Sequence, residues 1–536
     1  MKLLICLLTY IISLFSLNYT TYCQNPYTSI KKFEFILQTI VKNHTDVHDY
    51  ETLINHAIKG MLNDIDSTSV YYTPEEMKSI NENSPDEVVG IGIQFDIVND
   101  TMIVISPNSS GPAEKAGLIS GDMIIAIDGR NIIGLDNNAI PKMLRGPLGS
   151  IVKISIKRPG TLGLLDFEIK REKIPSNSID ASFIIDKTSI GVIRINRFSS
   201  TTLDEVKNVL DTLSKNGMTK LIIDLRNNPG GYLNSVYFVS SLFLNKGDTI
   251  CYTKGRNESF DDVYICQENG KYNTIPLTII ANQNSAAGSE IMAGAIQDLD
   301  RGLIAGNITY GRGSIDRIYE VGDGSRIKLT ISKFYLRSGR CIHRSNKEKK
   351  DYAQFRDKIQ QRLFLNVEKD GESITKSLNP ESLPLVFKTV NGRNVYGGGG
   401  ITPDFIINEN NNSDFLKTLF SKKLIYSFAY SFYFQHRNEL EKIIKNDPSG
   451  FMNNYNFTVF DIKDLSNFFQ SKINGFDKNQ FENDKNNILL LIKLEIIRFY
   501  FGETKYNIYK LSTESQILKI ISLFSEAERI GVRYLK

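Results

Sequence analysis

Apolar positions along the chain change their spacing from one region to the next, and each spacing predicts a different kind of element. Between residues 27 and 85 they recur at helical intervals: Phe33, Phe35, Ile36 and Ile40, then Leu53, Ile54, Ala57, Ile58, Met61 and Leu62. Thr73-Pro74-Glu75-Glu76 reads as a helix start, with Thr73 as N-cap and Pro74 at the first helical position. From 90 to 172 the period drops to two. Ile91, Ile93, Phe95 and Ile97 alternate with Gly92, Gln94 and Asp96, and Val152, Ile154, Ile156 and Leu165, Phe167, Ile169 repeat the pattern. These are half-buried strands of a small β-rich module.

Between 185 and 345, short apolar runs at 189–197, 220–226, 275–282 and 302–306 alternate with helical stretches such as Leu203, Val206, Val209, Leu210 and Leu213. That alternation predicts βαβ units and a largely parallel sheet covered by helices. Residues 343–394 hold a polar stretch and then extended segments, a surface insertion near the site. Residues 411–536 read as mainly helical. There 489–501 (LLLIKLEIIRFYF) forms a buried helix ended by Gly502, and the aromatic density suits packing onto the core or a partner chain. The fold class is therefore a multidomain α+β and α/β protein. Its α/β core has a mostly parallel sheet, with an inserted β-rich domain and helical N- and C-terminal regions.

The N-terminus reads as a processing segment. Lys2 precedes the apolar run 3–17, which falls short of the ~20 residues a membrane span needs. Thr21-Tyr22-Cys23 fits cleavage before Gln24, so residues 1–23 are expected to be a signal peptide. A lipoprotein anchor at Cys23 competes with that reading, against Tyr22 where a small residue is wanted. Both readings imply export, and no later segment approaches membrane length. Of five cysteines, Cys251, Cys266 and Cys341 then remain. Cys251 and Cys266 lie on two strand-like segments, which leaves both a hairpin disulfide and two separate buried thiols open.

Composition narrows the chemistry. The 536 residues suffice for several domains, and 41% hydrophobic with 23% charged residues is globular rather than disordered. Net charge is +4 from 64 basic and 60 acidic residues without a long basic block, which argues against nucleic-acid binding. Only five histidines occur. His44 and His48 could share a helix face, but the HExxH glutamate is missing and no third ligand is evident. No metal and no cofactor are expected.

Two sets of motifs carry more. Gly90-Ile91-Gly92-Ile93, followed by Pro112-Ala113, Ala116-Gly117-Leu118, Gly121-Asp122, Ile125 and Asp128-Gly129, resembles a PDZ domain. The resemblance implies that the Gly90–Ile93 loop holds a peptide's C-terminal carboxylate while the peptide adds as a strand to the sheet edge. DLRNNPGG (224–231) follows a strand and precedes a helix, a turn that exposes backbone N–H groups where α/β proteins place ligands. With NSAAGSEIMAGAIQDLDRG (284–302), TYGRGS (309–314), SGRCIHR (338–344) and VYGGGGITPD (395–404), the chain resembles the C-terminal processing peptidases, or tail-specific serine proteases, over residues 40–405. On that resemblance the domains are a helical region 27–85, a PDZ domain 86–172, a protease-like core 173–405 that includes the N-terminal helices, and a helical region 411–536.

The family uses a serine nucleophile and an unprotonated lysine as its general base, with backbone N–H groups holding the oxyanion. Carried onto this chain, the serine position three residues before Glu290 is Ala287. The lysine position twenty-five residues later is Arg312, within Gly311-Arg312-Gly313, and the assisting glutamine is Asp316. Alanine offers no heteroatom to form an acyl-enzyme, and a guanidinium keeps its proton at neutral pH. The surroundings match the family: Gly230, Gly231, Gly288, Glu290, Gln297, Asp298, Arg301 and Thr309. Ser285 and Ser289 flank Ala287 as substitute nucleophiles, but the lysines Lys328 and Lys333 sit in a different strand segment. The preferred expectation is an exported homologue of the bacterial periplasm or cell envelope that binds polypeptide C-termini, or a partner envelope protease, without cleaving. The other is an active serine endopeptidase. A homodimer fits either.

Overall fold

The structure, a computed structural model, describes residues 26–344, 385–407 and 412–534, apart from 67, 83–87, 99, 109–110, 136–138 and 175–176. The expected leader with Cys23 and most of the 343–394 insertion lie outside the described residues.

Period-two alternation becomes a β sheet whose strands run in the spatial order Ile93–Val98, Thr101–Pro107, Met123–Ile127, Ile151–Lys157, Leu165–Lys170. One set of alternating side chains, including Met102, Val104, Ile124, Val152, Ile154 and Ile156, fills a core closed by Ala113 and Leu118 near one short helix and Ile140 and Leu144 on another. The buried Asp122 is held by Arg158, Nε to Oδ1 at 2.7 Å and Nη2 to Oδ2 at 2.8 Å. A carboxylate taken out of water needs such a partner.

The core sheet has six strands in the order Ile179–Ile184, Ile190–Ile195, Lys220–Asp224, Leu277–Ala281, Leu303–Gly306, Phe405–Ile406. All neighbours are parallel except the first pair. Every residue of Leu277–Ala281 and Leu303–Gly306 is buried, as strands covered on both faces must be. One face packs against the helices Thr202–Lys215, Leu233–Ser241 and Gly288–Asp298, through residues such as Val206, Leu210, Val236 and Ile296. The other face, with Val192, Ile222, Ile280 and Ala305, is covered by the helix Ser515–Tyr534 through Ile517, Ile520, Phe524, Ala527 and Ile530. The chain's last helix thus completes the core.

The preceding helices form a third, aromatic-rich core. Lys478–Phe501 is its longest helix, ended by Gly502 at φ 78°. Ile103 and Ile105, on the outward side of the strand Thr101–Pro107, belong to this core, and Tyr430 Oη donates to Gly121 O at 3.0 Å. No helix among the described residues is long and apolar enough to cross a membrane.

Residues 26–78 and 317–329 form a separate compact unit. It holds the helices Pro26–Asn43 and Tyr50–Ile65 and the start of Pro74–Glu82. Thr73 and Glu76 exchange cap hydrogen bonds at 2.9 and 3.3 Å. The all-helical expectation for 27–85 is corrected at Val70–Tyr72, a strand paired antiparallel with Arg326–Lys328. Val and Tyr favour strands, and the pairing partner lies far downstream in sequence. In the larger unit Thr249–Gly255 and Val263–Ile265 do form an antiparallel pair, but Cys251 faces Tyr264 and all three cysteines are free thiols. Cys251 is fully buried, and burial pushes its thiol up to about 12.

Candidate functional site

At the carboxyl edge of the core sheet the strand Lys220–Asp224 runs into a turn fixed from both sides. Buried Asp224 accepts the Arg226 amide at 3.0 Å and its Nε at 2.9 Å, and the same guanidinium pairs with Glu514 at 2.7 Å and with Gln516. Asn228 Nδ2 donates to Ile195 O at 2.9 Å, and its Oδ1 accepts the Gly230 amide at 2.8 Å. Gly230 and Gly231 sit at φ 101° and 142°, and a Cβ on Gly231 would lie 1.9 Å from Phe198 O. No side chain fits there.

Against this turn lies the head of the helix Gly288–Asp298. A Cβ on Gly230 would sit 2.9 Å from the Cβ of Ala287, and one on Gly288 would sit 2.6 Å from Val236 Cγ2. Ala287 holds φ 49° and ψ −108°, a conformation that costs a non-glycine residue roughly 1–3 kcal/mol. Among the described residues neither the Gly231 nor the Gly288 amide donates to a protein acceptor. The two flanking serines are fully buried and engaged. Ser285 Oγ donates to Leu225 O at 2.7 Å and accepts the Asn282 amide at 2.9 Å, and Ser289 Oγ donates to Asn228 O at 3.0 Å.

Glu290 joins this turn to the Gly311-Arg312-Gly313 loop. Its Oε1 accepts Thr309 Oγ1 at 2.5 Å and the Gly311 amide at 2.6 Å, while Oε2 accepts the Arg312 amide at 2.8 Å and the Ala287 amide at 2.9 Å. Burial pushes this carboxyl above its ordinary range, and the four donors oppose the shift. Thr309 Oγ1 also accepts the Ile401 amide at 2.6 Å, which ties in the GGGGITPD segment. Because the Ala287 and Arg312 amides share one carboxylate oxygen, those two positions are neighbours in space. The Arg312 guanidinium lies 3.2 Å from Asp316 Oδ2; the arginine side chain is 41% exposed and the aspartate 10%. Lys333 is exposed on the strand Arg326–Tyr335.

Ala287, Gly230, Gly231, Gly288, Glu290, Thr309, Arg312 and Asp316 thus converge. Asp298 does not join them, since it lies at the far end of the helix. There it pairs with Arg340 at 2.7 Å, both fully buried, and accepts the Ser338 amide at 2.9 Å. Gly90-Ile91-Gly92-Ile93 belongs to the β-rich module. Gly92 takes φ 72°, and the Ile91 and Gly92 carbonyls accept the Ala113 and Asn108 amides, both at 2.9 Å.

The sequence reading missed two groups. The 514–516 segment that grips Arg226 carries no motif. Asp46 is the other, since its carboxylate and the rings of His44 and His48 place ligand atoms within 4.8 Å of one another. His48 Nε2 lies 3.1 Å from His44 Nδ1, and the Asp46 amide donates to that same Nδ1 at 3.1 Å.

Comparison with known proteins follows the same division. The family model described as Peptidase family S41 matches residues 189–351, and that of the PDZ domain matches residues 89–169. A probable CtpA-like serine protease of Staphylococcus epidermidis is 33% identical over 316 residues, 59% of this chain and 63% of that protein. Carboxy-terminal processing protease CtpB of Bacillus subtilis is 34% identical over 322 residues, 60% of this chain and 67% of its own length. The carboxy-terminal-processing protease of Bartonella bacilliformis is 32% identical over 323 residues, 60% of this chain and 74% of that protein. The chain spans less than two thirds of the Staphylococcus protein it matches. With a PDZ domain ahead of an S41 core and the motifs in order, the chain belongs to the carboxy-terminal processing proteases of peptidase family S41.

Proposed function

We propose that this protein is an exported member of its family that binds polypeptide C-termini through its PDZ domain and does not cleave them. The observation that carries the reading is Ala287. It holds a strained backbone at the head of a helix, beside the unused Gly231 and Gly288 amides, where a nucleophile would stand, and it presents only a methyl group. Arg312 and Asp316 support it. A guanidinium paired with a carboxylate cannot take a proton from an attacking hydroxyl at neutral pH. Two glycine amides without a protein acceptor among the described residues and a buried carboxylate scaffold remain, donors of the kind that hold a carbonyl oxygen, with no group beside them to attack it. The partners on this reading are tails of other polypeptides or of an active envelope protease.

An endopeptidase using Ser285 or Ser289 is the less supported reading, because both hydroxyls are buried and bonded to the turns they hold together. A displaced nucleophile also loses heavily in rate. The test is a triple variant, Ala287→Ser with Arg312→Lys and Asp316→Gln, assayed beside the parent on an unfolded protein substrate. Cleavage by the triple variant and none by the parent is expected. Parent turnover, or its labelling at Ser285 or Ser289 by a serine-directed fluorophosphonate, overturns the reading.

A further inference from the structure

The strand Ile93–Val98 lies at the edge of the PDZ sheet, paired on one side only with Thr101–Pro107. The hairpin register joins Val98 to Thr101 and Asp96 to Ile103. In an antiparallel ladder the backbone groups of alternate residues point away from the partner, so those of Ile93, Phe95 and Ile97 face the open edge. At Ile97 that edge is closed. Its amide donates to Asp96 Oδ1 at 2.8 Å, its carbonyl accepts Lys423 Nζ at 3.0 Å, and Lys423 pairs with Asp96.

Lys423 comes from the C-terminal helices, 327 residues away along the chain from Asp96. It holds φ 53° immediately before the helix Leu424–Gln435. That helix is fixed to the PDZ sheet by Tyr430 on Gly121 O and by the burial of Ile103 and Ile105. The lysine therefore stands on a rigid support rather than a free loop.

We propose that Lys423, with Asp96, sets the length of tail that the PDZ groove accepts, a specificity-determining contact supplied by the C-terminal helices. The inference rests on the PDZ domain binding C-termini by strand addition. A tail whose carboxylate lies at Gly90–Ile93 pairs with Ile93 and Phe95 and then meets a position whose donor and acceptor are already taken. Two outward pairs correspond to about four tail residues, and residues upstream of those turn off the sheet.

The test uses the full chain and a degenerate pool of eight-residue peptides with free C-terminal carboxylates, with an amidated pool as control. Bound peptides are sequenced for the parent and for Lys423→Asn/Asp96→Ala. Asparagine tolerates the left-handed backbone and is too short to reach Ile97. In the parent, enrichment is expected at the last four positions only. In the variant it is expected to extend to the fifth and sixth, with eight-residue peptides binding about threefold to tenfold tighter than four-residue ones, the worth of one or two restored strand hydrogen bonds. Enrichment beyond the fourth position in the parent, or an unchanged profile in the variant, overturns the proposal and leaves carboxylate binding standing. A contact that merely holds two domains together would leave the profile unmoved. Equal recovery from the free and amidated pools overturns the PDZ reading itself, and the proposal with it.

Discussion

Replacing Glu290 with alanine removes the carboxylate that joins the Ala287 turn to the Arg312 loop, and leaves the Tyr310 amide on Ser285 O at 3.0 Å as a remaining link between them. Three backbone amides and the Thr309 hydroxyl lose their acceptor at a buried position. Each orphaned buried donor costs about 1–3 kcal/mol, so four set a ceiling well above what the protein will show. Arg312 is partly exposed, and water entering on that side would satisfy some of the donors. A loss of roughly 3–5 kcal/mol is expected for Glu290→Ala, a large share of the ~5–15 kcal/mol by which a domain is stable. Glu290→Gln keeps the size but turns an NH2 toward two of the donors, and about half that loss is expected. The assay is urea unfolding, with amide hydrogen exchange at Ala287, Gly311 and Arg312 as a local readout. A Glu290→Ala midpoint within about 1 kcal/mol of the parent, with those amides still protected, would refute the reasoning.

Two further outcomes follow from single residues. Glu495, on the helix Lys478–Phe501, has its carboxyl pushed up to about 7 by burial, with Arg498 opposing at 3.4 Å. A carboxyl raised on folding contributes stability below its ordinary value of 4.5 that is lost as pH rises through about 7. Glu495→Gln should therefore flatten the fall in unfolding free energy across that window, by at most about 3 kcal/mol, and an unchanged pH profile would contradict the assignment. Ala287→Gly should relieve the positive φ at the head of its helix and, after the entropy of an added glycine, raise stability by about 1 kcal/mol. A lowered melting temperature would mean the turn is unstrained.

Much of the architecture was legible because it is written in local periodicity. Phe95 and Ile97, or Ile222 and Ile280, announce their strands from their own neighbours. What escaped depends on partners far away. Val70–Tyr72 becomes a strand only because Arg326–Lys328 lies beside it. The sequence left open whether the C-terminal helices pack on the core or on another chain; Phe524 and Ile520 lie against Val192 and Ile222. At the candidate site the residue types at 287, 312 and 316 were readable, whereas the positive φ of Ala287 and the bonds of Ser285 and Ser289 exist only in three dimensions. Lys423 shows the same limit, since nothing near it in sequence points to the edge of a sheet.

The dependence of the core sheet on the helix Ser515–Tyr534 has a consequence for biosynthesis. Most of that sheet is complete once residue 306 has been made, yet the apolar face formed by Val192, Ile222, Ile280 and Ala305 stays bare until residues 517–530 follow. For that interval the nascent chain carries a sticky surface of the kind that drives aggregation. A precursor kept unfolded or chaperone-bound until residues 517–530 have been made would avoid it.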